Sequence, residues 1–187
     1  MNTLQNLVLK HKTDKSHHLN FIKYYEEYFS PLREKPVRIL EIGVQKGYSI
    51  ATWLEYFPKA SIVGMDINPS PFPRDPRYAF VQGDQSDSKF LESVIRHHPL
   101  FDIVIDDGGH TNECVIVSFN SIWPSVTAGG LYCIEDLYCA YRPSYQRPGL
   151  PTQMEFIKGL LDDINNEKRG IASIHFSHEL AIISKKA

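Results

Sequence analysis

The chain has 187 residues, of which 42% are hydrophobic and 22% are charged, and this length suits one domain with a single core. Its 20 basic and 22 acidic side chains leave a net charge of −2, which gives no electrostatic reason to expect binding to nucleic acid or to an anionic membrane. No apolar run is long enough to span a bilayer. The first residues lack the apolar core of a secretory signal, and the three cysteines have no zinc-like or redox-like spacing, so we expect a cytoplasmic protein with reduced thiols.

Hydrophobic periodicity predicts helices and strands that alternate along the chain. An N-terminal helical segment, residues 1–36, should carry a short helix and then a longer one over 20–32. The later elements, in chain order, are a strand over 37–42, a helix over 49–57, strands over 62–66 and 78–82, a helix over 88–98, a strand over 101–105, a helix over 112–121, a turn over 126–130, a strand over 131–134, a helix over 152–165, and two closing strands over 171–176 and 179–184. This order predicts an α/β fold with a single doubly wound, mostly parallel sheet of seven strands and one antiparallel strand in a C-terminal hairpin. We expect one domain over residues 1–187, with a Rossmann-like core over 37–187.

Two loops are expected to lack regular structure. Residues 68–76 contain four prolines, which exclude a regular helix or strand there. Residues 138–151 are rich in tyrosine, arginine and proline.

The turn after the first strand has the spacing of a nucleoside-binding site. Gly43 and Gly47 allow the backbone to approach a ligand closely, and Asp66, about 20 residues on, is placed to accept hydrogen bonds from ribose hydroxyls. A dinucleotide site would read GxGxxG and hold a pyrophosphate on helix amides. Glu41, two residues before the first glycine, instead suits a ligand with ammonium or hydroxyl groups. An unrelated βαβ turn is the alternative.

In these residues the chain resembles the class I S-adenosylmethionine-dependent methyltransferases. The resemblance implies a Rossmann-like methyltransferase fold with S-adenosylmethionine as the methyl donor. The expected cofactor-binding residues are Glu41, Gly43, Gly47, Ser49, Asp66, Ile67, Asp84, Gln85, Asp106 and Lys15.

Acidic residues follow several predicted strands, and in an open α/β sheet these strand ends face one crevice. So many carboxylates repel one another and are costly to desolvate, which predicts a cation among them. Oxygen ligands suit Mg²⁺, and we expect Asp107, Glu135 and Asp136 to bind it. Two glycines after Asp107 let His110 turn toward the same point, where an imidazole, with an unperturbed pKa of ~6.5 for this residue type, suits a general base. The alternatives are that acids such as Asp84 or Asp106 only cap the following helix, and that the histidine is structural.

A narrower resemblance is carried by two runs, IDDGGH over 105–110 and GGLYCIED over 129–136, and by Thr13-Asp14-Lys15 with His17 and His18. These residues resemble the metal-dependent sugar O-methyltransferases of antibiotic biosynthesis, including the mycinamicin and tylosin type, and the related cephalosporin hydroxylase-like proteins. The resemblance implies that the three acids named above bind magnesium, that the histidine after the glycines is the base, and that Lys15 closes over the donor.

The macrolide enzymes carry a large additional N-terminal portion, whereas about 35 residues precede the first strand here. The loop over 138–151 is therefore expected to recognise the acceptor, and the chain to be a monomer or a homo-oligomer.

The function expected from the sequence is S-adenosylmethionine- and Mg²⁺-dependent O-methylation (EC 2.1.1.-) of a sugar hydroxyl on a glycosylated small molecule or natural product. The alternatives are a catechol-like phenol O-methyltransferase and a non-catalytic S-adenosylmethionine-binding protein. A dehydrogenase is disfavoured because the dinucleotide pattern is missing. No nucleic-acid or membrane partner is expected.

Overall fold

The computed structural model describes residues 3–17, 19–69 and 74–187, apart from the side chains of residues 17 and 19–21. His18, the side chain of His17 and the middle of the proline-rich loop therefore lie outside the described residues. Within these ranges, no helix has the combination of length and apolar character needed to cross a membrane.

The described residues contain six α-helices and seven strands, besides five short 3₁₀ helices. The helices are α1 (Leu4–His11), α2 (Leu19–Phe29), α3 (Tyr48–Tyr56), α4 (Ser88–His97), α5 (Asn112–Ile122) and α6 (Gln153–Asn165). The strands are β1 (Arg38–Ile42), β2 (Ser61–Asp66), β3 (Tyr78–Gln82), β4 (Phe101–Asp106), β5 (Val126–Ile134), β6 (Ile171–Phe176) and β7 (Ala181–Lys185).

All seven strands form one sheet in the order β3-β2-β1-β4-β5-β7-β6. The β1, β2, β3, β4 and β5 pairings are parallel, and β7 is antiparallel to both β5 and β6. This confirms the predicted fold class, including the single antiparallel strand. The strand order reverses between β1 and β4, which is where an open α/β sheet leaves a crevice for a ligand.

Alternate residues of the central strands pack on opposite faces of the sheet, because side chains alternate along a strand. On one face Ile39 joins a core with Tyr25 and Phe29 of α2 and Trp53 of α3. On the other face the next residue of β1, Leu40, joins a core built with α4, α5 and α6. Both faces of the sheet are thus covered, as expected for buried parallel strands.

The predicted start of β5 is wrong by five residues. We expected a turn over 126–130, but the strand begins at Val126, which pairs with Phe101 of β4. A register shift follows between Phe101 and Ile103, and Gly129 has a φ of +72°, a left-handed conformation that glycine adopts at little cost. The glycines therefore mark an irregularity inside the strand, in the manner of a bulge.

Candidate active site

A cleft of about 610 Å³ opens at the carboxyl ends of β1, β2 and β4. Nine of the residues predicted for the site line this cleft: Gly43, Ser49, Asp66, Ile67, Asp84, Gln85, Asp107, His110 and Asp136. Lys15, Glu41, Asp106 and Glu135 lie behind the wall as buried side chains. The topology therefore gathers the strand-end residues into one place, but in two layers.

The glycine turn brings the end of β1 against the end of β4. Gly43 has a φ of +88°, and a Cβ atom at this position would lie 2.0 Å from the backbone oxygen of Asp107. No other residue fits there without moving one of the two strands. Gly47, with a φ of +75°, caps the N-terminus of α3, so both glycines shape the turn.

Asp66 and Asp84 accept hydrogen bonds that fix the backbone at the edge of the cleft. Asp66 accepts hydrogen bonds from the backbone N–H groups of Gln45 at 2.9 Å and Asn68 at 2.8 Å, which ties the glycine turn to the end of β2. Asp84 accepts from the backbone and the hydroxyl of Ser86, both at 2.8 Å. Each carboxylate still borders the cleft and can accept a further hydrogen bond.

Glu41 supports the cleft from behind. Its side chain is fully buried and accepts hydrogen bonds from the Ser49 hydroxyl at 2.9 Å and the Trp53 indole at 3.2 Å. Burial raises the pKa of Glu41 to about 7. The carboxylate therefore fixes the start of α3, rather than facing the cleft itself.

Asp106 has a similar supporting position. It accepts hydrogen bonds from Gln85 at 3.0 Å, Ser118 at 2.5 Å and Tyr132 at 3.0 Å, and burial raises its pKa. The same Gln85 side chain accepts from the Gly109 N–H at 2.6 Å. Asp106 thus orients the Gln85 amide, whose oxygen accepts from the Gly109 N–H in the turn before His110.

Asp107, His110 and Asp136 form a group that could hold a metal ion. One ligand atom from each lies within 4.8 Å of the other two, and Nε2 of His110 is 3.4 Å from Oδ2 of Asp136. His110 and Asp136 have φ values of +51° and +57°, a conformation that non-glycine residues adopt at a cost. Two carboxylates and an imidazole, half-buried at a cleft, fit a divalent cation.

Lys15 places a positive charge inside the carboxylate cluster. Its Nζ lies 2.5 Å from Oδ2 of Asp107, 2.8 Å from both carboxylate oxygens of Glu135, and 3.9 Å from Glu41. The Tyr25 hydroxyl donates to Glu135 at 2.6 Å. Burial alone would lower the pKa of Lys15, but the three carboxylates hold it well above its usual value. Burial, together with the Asp107 charge, raises the pKa of Glu135 to about 8.

These contacts differ from the roles assigned from the sequence. Lys15 is 2% exposed and contacts acids, while its neighbours Thr13 and Asp14 line the cleft. Glu135 is hydrogen-bonded to Lys15 and Tyr25. It does not belong to the group of possible metal ligands that contains Asp107, His110 and Asp136. Glu135 as a metal ligand and Lys15 as a donor contact therefore remain predictions.

Three residues with a part in the site are not among the candidates named from the sequence, which places them only within predicted helices: Tyr25, Asn112 and Gln153. No local pattern could have revealed them, because their partners are between 35 and 110 residues away along the chain.

No protein-family model matches the chain, whereas curated proteins and solved structures do match it. A mycinamicin VI 2''-O-methyltransferase from Micromonospora griseorubida is 35% identical over 190 residues, which cover 88% of this chain and 48% of the relative. An 8-demethyl-8-alpha-L-rhamnosyl tetracenomycin-C 2'-O-methyltransferase from Streptomyces olivaceus is 32% identical over 98% of this chain and 55% of its own length. The solved structure of the MycE methyltransferase of the mycinamycin pathway, in complex with Mg and SAH, superposes with a TM-score of 0.91 at 34% identity and covers 99% of this chain and 55% of that one.

The chain is a homologue of these sugar O-methyltransferases. Its fold is that of a class I methyltransferase, as the resemblance implied. The chain spans about half the length of the curated relatives it matches.

Proposed function

We propose that the chain is an S-adenosylmethionine- and Mg²⁺-dependent O-methyltransferase that acts on a sugar hydroxyl of a glycosylated small molecule. The observation that carries the proposal is the placement of Asp107, His110 and Asp136 in the same cleft as the glycine turn and Asp66. A proposed donor site and a proposed cation site would thus share one cavity, as metal-assisted methyl transfer to a hydroxyl requires. The named activities and complexes of the homologues support the same reaction.

The nucleoside half of the cleft would bind the donor. Gly43 lets the backbone come close to it, Asp66 offers carboxylate oxygens to ribose hydroxyls, and Asp84 and Gln85 border the same space. Glu41 and Asp106, predicted as direct contacts, would act here through Ser49 and Gln85, which they hold in place.

Asp107 and Asp136 would hold the divalent cation, and Glu135 stays a proposed third ligand. A cation bound there supplies Lewis-acid chemistry, which makes a nearby acceptor hydroxyl more acidic. Lys15 supplies one positive charge, which is shared between the buried Glu135 and Oδ2 of the cleft-facing Asp107.

His110 would take the proton from the acceptor hydroxyl as general base. Its ring borders the cleft, and Asp136, with an oxygen 3.4 Å from Nε2, orients it. Proton removal by a positioned base contributes typically 10²–10⁴-fold, and alignment of the oxygen with the methyl group contributes through proximity.

The loop over 138–151 would bind the acceptor, because Tyr145 lies with its ring 6.5 Å from that of His110 and Arg147 lines the cleft. Aromatic rings suit the apolar face of a sugar, and a guanidinium suits its hydroxyls. A single methyltransferase domain, a cytoplasmic location, and a monomeric or homo-oligomeric state without nucleic-acid or membrane partners belong to the same proposal.

Transfer of a labelled methyl group from S-adenosylmethionine tests this function directly. The protein is incubated with para-nitrophenyl α-L-rhamnoside or with catechol, each with Mg²⁺ or with EDTA. Methylation of the rhamnoside that requires Mg²⁺ supports the proposal. Methylation of catechol alone would move the activity to phenols, and donor binding without transfer to either would indicate a binding protein.

A further inference from the structure

Two fully buried amide side chains connect the loop over 138–151 to the turn that carries His110. Asn112 and Gln153 are each 0% exposed. Asn112 is the first residue of α5, two positions after His110, and Gln153 is the first residue of α6, two positions after the loop. Each amide reaches across to the segment that the other one adjoins.

Asn112 holds the end of the loop by its backbone. Its Nδ2 donates toward the carbonyl oxygens of Arg147 at 3.2 Å, Leu150 at 3.4 Å and Pro151 at 3.0 Å. Its Oδ1 accepts from the Arg147 N–H at 2.7 Å. An amide has two donor hydrogens and an acceptor oxygen with two lone pairs. The Asn112 nitrogen donates to this short stretch of the loop, and the oxygen is shared between the Arg147 N–H and the Glu113 N–H, the latter at 3.0 Å.

Gln153 holds the turn that carries His110. Its Nε2 donates to the backbone oxygen of His110, and Thr152, the residue before it, closes a capping box with Glu155 that fixes the start of α6. His110 needs such support, because its φ of +51° lies in a left-handed region that a non-glycine residue adopts only at a cost in free energy.

The rest of the loop is braced internally. The Gln146 side chain donates to the backbone oxygen of Ala140, and the Arg142 guanidinium lies 4.5 Å from the centre of the Tyr138 ring. With its end held by Asn112, the loop has little freedom to move Arg147 relative to the cleft.

The geometry points to Asn112 and Gln153 as positioning residues for acceptor binding: together they form an amide clamp that sets Tyr145 and Arg147 at a fixed place relative to His110. The clamp rests on the proposed function for its role in catalysis, but not for its existence. Asn112 controls where the acceptor lies, and Gln153 controls where the base lies.

The two halves of the clamp predict different kinetic effects. Asn112→Ala frees the end of the loop, so KM for para-nitrophenyl α-L-rhamnoside should rise at least tenfold with a smaller fall in kcat. Gln153→Met keeps the shape of the side chain but removes the donor to His110, so kcat should fall at least tenfold with a smaller change in KM. The affinity for S-adenosylhomocysteine, measured by calorimetry, should stay within about twofold for both, because neither side chain lines the donor half.

Amide hydrogen exchange by NMR tests the clamp without any acceptor. The Arg147 N–H donates to Asn112 at 2.7 Å, so Asn112→Ala should speed its exchange at least tenfold. The matched control is Asn166→Ala at the exposed far end of α6, where the amide donates to the Asp162 carbonyl at 2.8 Å; it should leave both exchange at Arg147 and the kinetics unchanged.

Equal exchange at Arg147 in Asn112→Ala and in the control would overturn the clamp. If Asn112→Ala does not fold, Gln153→Met decides, and a kcat equal to that of wild type would overturn the proposal. If wild-type protein methylates no acceptor, the proposed function fails, while the exchange measurement still decides whether the clamp exists.

Discussion

Replacing Lys15 by methionine removes the ammonium group from the carboxylate cluster but keeps the length and apolar stem of the side chain. The group lost is 2% exposed and lies 2.5 Å from Asp107 and 2.8 Å from Glu135. Removing one partner of a buried ion pair costs about 3–5 kcal/mol, because the other charge is left buried without compensation. We expect the free energy of unfolding to fall by about this amount in the metal-free protein.

The assay is urea unfolding, followed by circular dichroism and extrapolated to water, with EDTA or with saturating Mg²⁺. A cation that binds only the folded state adds stability by mass action. In the variant the cation also supplies the positive charge that Asp107 has lost. Mg²⁺ should therefore reduce the difference in the free energy of unfolding between the variant and wild type.

The matched control is Lys10→Met. Lys10 also contacts a carboxylate, that of Glu55 at 2.7 Å, but the two side chains are 56% and 34% exposed. Exposed pairs contribute about 0–1 kcal/mol. The reasoning is refuted if Lys15→Met, in EDTA, destabilises the protein no more than Lys10→Met does.

Three further predictions concern the cleft and its support. His110→Ala should lower turnover at least about 100-fold and leave S-adenosylhomocysteine affinity unchanged; turnover near that of wild type would remove His110 as the base. Asp136→Asn should weaken Mg²⁺ binding in calorimetry at least tenfold, and an affinity equal to that of wild type would exclude this residue as a ligand. Burial raises the pKa of Glu41 from 4.5 to about 7, so between these pH values the folded protein keeps a proton that the unfolded chain releases. The free energy of unfolding should therefore fall by on the order of 3 kcal/mol as the pH rises from 4.5 to about 7. Glu41→Gln should make that pH dependence shallower in unfolding measurements in EDTA, and parallel curves for the variant and wild type would contradict the cause given.

The elements β1, α3 and β2 could be predicted from the sequence because the residues that specify them lie close together in the chain. The apolar run of β1, the glycine turn and the helical spacing of Ile50, Trp53 and Leu54 lie within about 20 residues, and they give β1, α3 and β2 nearly at their observed bounds. The start of β5 could not be predicted, because its pairing between Val126 and Phe101 is a tertiary contact.

The candidate site also has features that could be predicted from the sequence and features that could not. That the acids follow the strands is visible in the sequence, but whether a carboxylate faces the cleft depends on the strand's alternation and twist. Asp106 and Asp107 are neighbours, yet the first is buried against Ser118 and the second borders the cleft. The Lys15 contacts span 92 and 120 residues, and no local spacing indicates them.

A crystal structure with S-adenosylhomocysteine and Mg²⁺ tests the central proposal most directly. The account predicts a magnesium ion on the carboxylates of Asp107 and Asp136, in the same cleft as the nucleoside and beside His110. Crystals with the nucleoside bound at saturating Mg²⁺, but with no ion on these two carboxylates, would contradict it.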